Sequence, residues 1–142
     1  MRPTFRPRKR LEIDAAYTAF LIGGMALADY PGETIQCRNE LDRTNWFELR
    51  DMCRQAITAE KAAWDGLPPT PVWGNYPITA PGIRCTSNRY VQPTVAATLV
   101  MMSAVSGWAL VAQANWWRMK DLCDAATTDD DLRAINLDEG WP

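Results

Sequence analysis

TVAATLVMMSAVSGWALVAQANWW, residues 94–117, runs for 24 residues without a formal charge, and its reading decides the fold. It follows Pro93 and gives way to Arg118, Lys120 and Asp121, so a helix is expected from Thr94 to about Ala125. Leucine, valine and tryptophan occur around its whole circumference. Only Thr98, Ser103, Ser106 and Gln113 gather, within an arc about 140° wide at 100° per residue. A helix apolar nearly all round must be covered nearly all round.

Three covers are open. The first is the chain's own domain, the second another subunit, and the third a bilayer, which about 20 apolar residues suffice to cross. Trp116, Trp117, Arg118 and Lys120 resemble an interfacial belt. Against the bilayer stand Thr94, Thr98, Ser103, Ser106, Gln113 and Asn115, which dilute the run, and the absence of isoleucine and phenylalanine from it. The composition therefore favours burial inside the domain together with an oligomer interface, with Leu99, Met102 and Trp117 facing a partner.

Working outward, residues 65–93 hold Pro68, Pro69, Pro71, Pro77, Pro81 and Pro93, which forbid helix and allow only short strands. Val72–Asn75 and Ile83–Ser87 are expected to pair, with Glu33–Cys37 as a further short strand. Asn45 and Glu48 read as a capping box opening a helix from Trp46 to about Trp64. A first helix is expected from Arg8 or Lys9 to about Asp29, interrupted by Gly23-Gly24 at a cost of about 2 kcal/mol in propensity. Thr128 and Asp131 mark an N-cap for a short helix at about Asp129–Ile135. The fold class is thus mainly α (α+β), with three to four helices and a small β element. A basic arm at 1–8 precedes one helical domain at 9–142 with a proline-rich insertion at about 65–93.

Composition excludes more than it selects. The chain has 142 residues, 47% hydrophobic and 23% charged, with net charge -2, which suits one globular domain and not a general polyanion binder. It contains no histidine, which removes the commonest general base and metal ligand and every Ser-His or Cys-His pair. Cys37, Cys53, Cys85 and Cys123 stand singly, so a zinc site is not expected. They read as core residues, although two disulfides are open to them. No apolar run follows the basic N-terminus, so no secretory signal is expected. No carboxylate pair, phosphate loop or nucleic-acid reading element stands out, because helix capping accounts for Asp129, Asp130 and Asp131. The expectation is a chain without enzymatic activity, cofactor or small-molecule substrate.

Charge is uneven along the sequence. Residues 1–10 carry Arg2, Arg6, Arg8, Lys9 and Arg10 with no acid, while the last 22 residues carry seven acids against Arg133. Opposite ends of this kind suit docking between unlike surfaces. With Trp73 in the proline-rich stretch and Trp141 at the C-terminus, both hard to bury in a compact domain, the arginines complete the partner-binding candidates. Trp46, Trp64 and Trp108 read as core anchors.

The order of these elements resembles a known family. Lys9-Arg10-Leu11-Glu12-Ile13-Asp14-Ala15-Ala16 opens a helix, and Glu33–Cys37 follows a glycine turn. The segment from Leu122-Cys123-Asp124-Ala125-Ala126-Thr127 through Leu132-Arg133-Ala134-Ile135 leads to Gly140-Trp141-Pro142. This pattern, over most of residues 9–142, is similar to a small domain family of unknown function found in tailed-phage and prophage genes, attached to tail-fibre proteins or encoded beside them. The ending also resembles that of tail-fibre assembly chaperones, and Arg38–Trp46 resembles a stretch of phage tail-assembly chaperones. The uncharged helix is more apolar than that family's pattern. The resemblance implies a structural or adaptor component of a tail (tip, baseplate or fibre attachment), binding other phage tail proteins in a homo-oligomer or hetero-assembly. Its place would be the virion, with the host cytoplasm during assembly. An assembly chaperone and a small holin-like membrane protein are the alternatives.

Overall fold

In the computed structural model, residues 4–142 are described; Arg2, one of the expected partner-binding residues, lies outside them. The uncharged run forms the middle helix of the molecule. Among the described residues there are four helices: α1 (Arg6–Gly23), α2 (Glu40–Ala63), α3 (Val95–Ala125) and α4 (Asp129–Arg133). Two strands, β1 (Ile83–Arg84) and β2 (Tyr90–Val91), pair antiparallel. The chain is mainly α with a small β element, as its sequence leads one to expect.

α3 is 31 residues long, about 46 Å at 1.5 Å per residue. Thr94 caps it, its side chain accepting from the Ala97 N–H. α1 and α2 both pack against it, each antiparallel, and share its length between them. Contacts from Tyr17 to Trp116 and from Arg10 to Asp124 hold α1 to the C-terminal half. Arg50 and Ser106 join α2 to the N-terminal half. Two core clusters result. The larger contains Leu27, Ile35, Cys37, Cys53, Ile83, Met102 and Val105, and the smaller contains Ile13, Met119, Cys123, Leu132 and Ile135.

α1 stops at Gly23, not near Asp29. Gly24 has φ 75°, and a Cβ there would collide with the Ile35 carbonyl, so the chain turns where only glycine fits. Residues 25–27 then pair back on 33–35 through Leu27 N to Glu33 O (3.0 Å) and Ile35 N to Met25 O (2.9 Å). Ile35 bridges Cys85, so the Glu33–Cys37 segment does join the 83–87 segment. The expected pairing of Val72–Asn75 with Ile83–Ser87 does not form. β1 pairs with β2, and residues 74–78 lie along 93–96 instead. The proline-rich stretch contributes Ile78, Ile83 and Cys85 to the larger core.

α2 starts six residues before the expected Trp46. Asn39, not Asn45, is the cap, accepting from the Asp42 N–H at 2.9 Å. Arg38 adds its own N–H and guanidinium to the Asp42 carboxylate. Burial alone would raise the Asp42 pKa, but these bonds carry it below its usual value. α4 opens at the Thr128 N-cap read from the sequence, and Asp131 closes it into a capping box.

Candidate interaction surface

α1 begins at Arg6, two residues before the expected start, and Arg6 is committed within the chain. Its guanidinium donates to the Cys123 and Ala126 carbonyls (3.2 and 2.5 Å), which are otherwise left over at the end of α3. Thr4 and Phe5 donate their N–H groups to the Asp129 carboxylate (3.0 and 3.4 Å). Arg10 pairs with Asp124; the hydrogen bond from Arg10 lowers the Asp124 pKa, and Asp124 raises that of Arg10. The basic and acidic ends thus bind each other within the chain. Arg8 and Lys9 instead pair with Glu12 on the same helix, and of the two Arg8 is solvent-exposed.

The tryptophans offered as anchors for a partner are also engaged. Trp141 is half-buried, stacks on Phe20 at 5.0 Å and on Tyr17 at 6.3 Å, and donates to the Leu137 carbonyl at 2.8 Å. Asn115 donates to the Glu139 carbonyl (2.9 Å), which fixes the adjoining C-terminal turn. Trp73 is half-buried edge-on against Trp64 at 5.7 Å. Trp46 and Trp108 pack against the larger core as expected, while Trp64 belongs to neither cluster.

On α3 the face expected to meet a partner is rotated. Met102 is fully buried and Leu99 half-buried in the larger core. Thr98, from the expected polar arc, is also fully buried, with no partner for its hydroxyl, and Ser106 is turned inward to accept from Arg50 at 2.8 Å. Apolar side chains face out instead: Val100 is 71% exposed, Leu110 65%, Val111 50%, Trp117 54% and Leu122 45%. Ser103, Ala104, Gly107, Ala114 and Ala125 are exposed between them. At 100° per residue all these positions fall within an arc about 140° wide, opposite buried Met101, Val105, Ala112, Met119 and Cys123. Of the α3 residues expected to bind a partner, only Trp117 lies on this face.

The signal for the open face was spacing, not polarity. Positions 100, 104, 107, 111, 114, 118, 121, 122 and 125 recur at three and four residues, the period of a helix–helix seam. Two exposed charged residues, Arg118 and Asp121, lie toward one end of it. Arg118 is turned to the Asn115 side-chain oxygen (2.8 Å). An 18-residue window of α3 has mean hydropathy 1.9, yet only 39% of that window is buried.

Elsewhere the chemistry is quiet. The four cysteines are buried thiols. Burial pushes the Cys37 thiol up to about 11 and raises those of Cys53 and Cys85. Among the described residues no group of three potential metal-ligating side chains converges. A cleft of about 320 Å³ between α2 and the 76–82 segment is lined mainly by Leu49, Met52, Ala56, Tyr76 and Ile78. Comparison of the chain with protein-family models, curated proteins and solved structures finds no match.

Proposed function

We infer that this chain works by packing against other proteins, as a structural or adaptor subunit of a tailed-phage tail. The single observation that carries the packing role is the open apolar face of α3, which runs from Val100 to Leu122, about 33 Å along the helix. A run of exposed apolar side chains of this length on one helix face favours an interaction site. The tail setting rests on the likeness of Lys9–Ala16, Leu122–Ile135 and Gly140–Pro142 to the phage family.

Proteomic mass spectrometry of purified particles tests that setting. Stoichiometric presence in mature virions is the expected result. Presence in lysates but absence from particles would replace the subunit by an assembly chaperone that departs after its client folds. The hydropathy of α3 favours a second reading, in which lipid covers the same face. Alkali-resistant membrane association of the chain expressed alone is the result that would select it.

A further inference from the structure

We propose that the open face of α3 is covered by the same face of a second copy, related by a two-fold axis, with the two α3 helices antiparallel. This inference rests on the packing role above but not on the tail setting.

The arrangement of bulk along the face supports it. An axis at Leu110 and Val111 places Val100 opposite Leu122 of the second copy and Gly107 opposite Ala114. Trp117, the largest exposed side chain, then faces Ser103 and Ala104, the smallest available opposite it. The bulky ring meets small side chains in both directions, and the branched residues meet one another at the axis and the ends, so one surface complements itself, as a two-fold interface requires. A Cβ added at Gly107 meets nothing within 4 Å inside the protomer, so that glycine answers no internal need. Gly107 and Ala114 instead allow close approach of the two backbones.

Charge selects the direction. A parallel, in-register pair would set Arg118 beside Arg118, Asp121 beside Asp121 and Trp117 against Trp117. The antiparallel pair separates each like-charged couple by about 20 Å or more and opposes the helix dipoles.

Area supports the same occupant. At roughly 150–250 Å² for the fully exposed tryptophan and less for each aliphatic side chain, the five half- to two-thirds-exposed apolar residues leave about 500 Å² open. The exposed backbone and small residues between them extend this toward the roughly 800 Å² per partner of a standard specific interface.

Sedimentation or light scattering of the purified full chain tests self-pairing, and the expected mass is twice 16.0 kDa. Gly107→Leu should retain the wild-type helical circular dichroism and weaken the dimer at least tenfold. Under mild oxidation Val111→Cys, beside the axis, should cross-link to itself. Ala104→Cys should not, because the two copies of residue 104 lie about 20 Å apart, well beyond disulfide reach.

A folded chain that stays monomeric as concentration rises would overturn the proposal. So would efficient cross-linking through Ala104→Cys, failure of Val111→Cys to cross-link, or recovery of the chain only in alkali-resistant membranes. A monomeric chain found in virions would sink self-pairing and spare the tail reading. A dimer absent from virions would do the reverse.

Discussion

Replacing Arg6 by alanine should destabilise the protein far more than replacing Arg8, although the two arginines are neighbours in the same basic segment. Arg6 donates to two carbonyls at the end of α3, 117 and 120 positions away in sequence. A hydrogen bond from a charged donor contributes about 1.5–3 kcal/mol, and the half-exposed site reduces the pair to about 2–3 kcal/mol together. The loss would also loosen the junction at which Thr4 and Phe5 meet Asp129. At about 2–4 °C per kcal/mol for a chain of this size, Arg6→Ala should melt about 5–10 °C lower. Arg8 reaches only Glu12 across one helical turn, an exposed pair that contributes less than about 0.5 kcal/mol. Arg8→Ala should therefore melt within about 2 °C of wild type. Differential scanning calorimetry of the two variants beside wild type, with urea unfolding to confirm the free energies, gives the comparison. Equal and small shifts would refute the reasoning, because the N-terminal segment would then be an undocked arm, free for a partner as the charge pattern first suggested.

Met102→Ala should cost about 2–5 kcal/mol in urea unfolding, since Met102 is fully buried; Val100→Ala, two residues away on the open face, should cost under about 0.5 kcal/mol when measured on the monomer. Raising the pH through about 9–11 should destabilise the fold: the unfolded thiols ionise near their ordinary values while burial keeps Cys37 protonated to about 11. Cys37→Ala should flatten that alkaline limb of a pH–stability profile. Asp131→Asn should weaken the α4 cap, because the Asp131 carboxylate accepts from the Thr127 and Thr128 N–H groups, which lower its pKa. Hydrogen exchange should then lose protection at residues 127–135, and in the wild type the same contribution should fade as pH falls below the usual aspartate range.

Local rules carried the reading of this sequence as far as local physics decides. Pro93 and Thr94 start α3, and the Thr128 cap starts α4, both as expected, because a cap depends on residues three positions apart. Tertiary contacts overrode local signals elsewhere. α1 stops at Gly23 because the Gly24 backbone passes close to Ile35, a contact 11 residues away that no helix propensity encodes. Asn45 has the right spacing for a cap, but the Asp42 carboxylate bonded to Arg38 stabilises an earlier start at Asn39. The charged ends looked like material for a partner because sequence distance hides that α1 and α3 run antiparallel, which brings Arg6 and Arg10 to the C-terminal end of α3.

The open apolar face was misplaced for a related reason. Thr98 and Ser106 gather in the one polar arc of α3, yet Thr98 is fully buried and Arg50 of α2 donates to a part-buried Ser106. A weakly amphipathic helix cannot choose its own buried side; its neighbours choose for it. α1 and α2 approach from one side and leave Val100, Leu110, Val111 and Trp117 outside. The uncovered side is therefore a product of the whole fold, written in sequence only as small and large residues alternating at helical spacing. That alternation has no purpose in a face left to water, where Gly107 only lowers helix propensity by about 1 kcal/mol relative to alanine. It gains one when a second helix lies along it, with Gly107 and Ala114 setting how closely the two can approach.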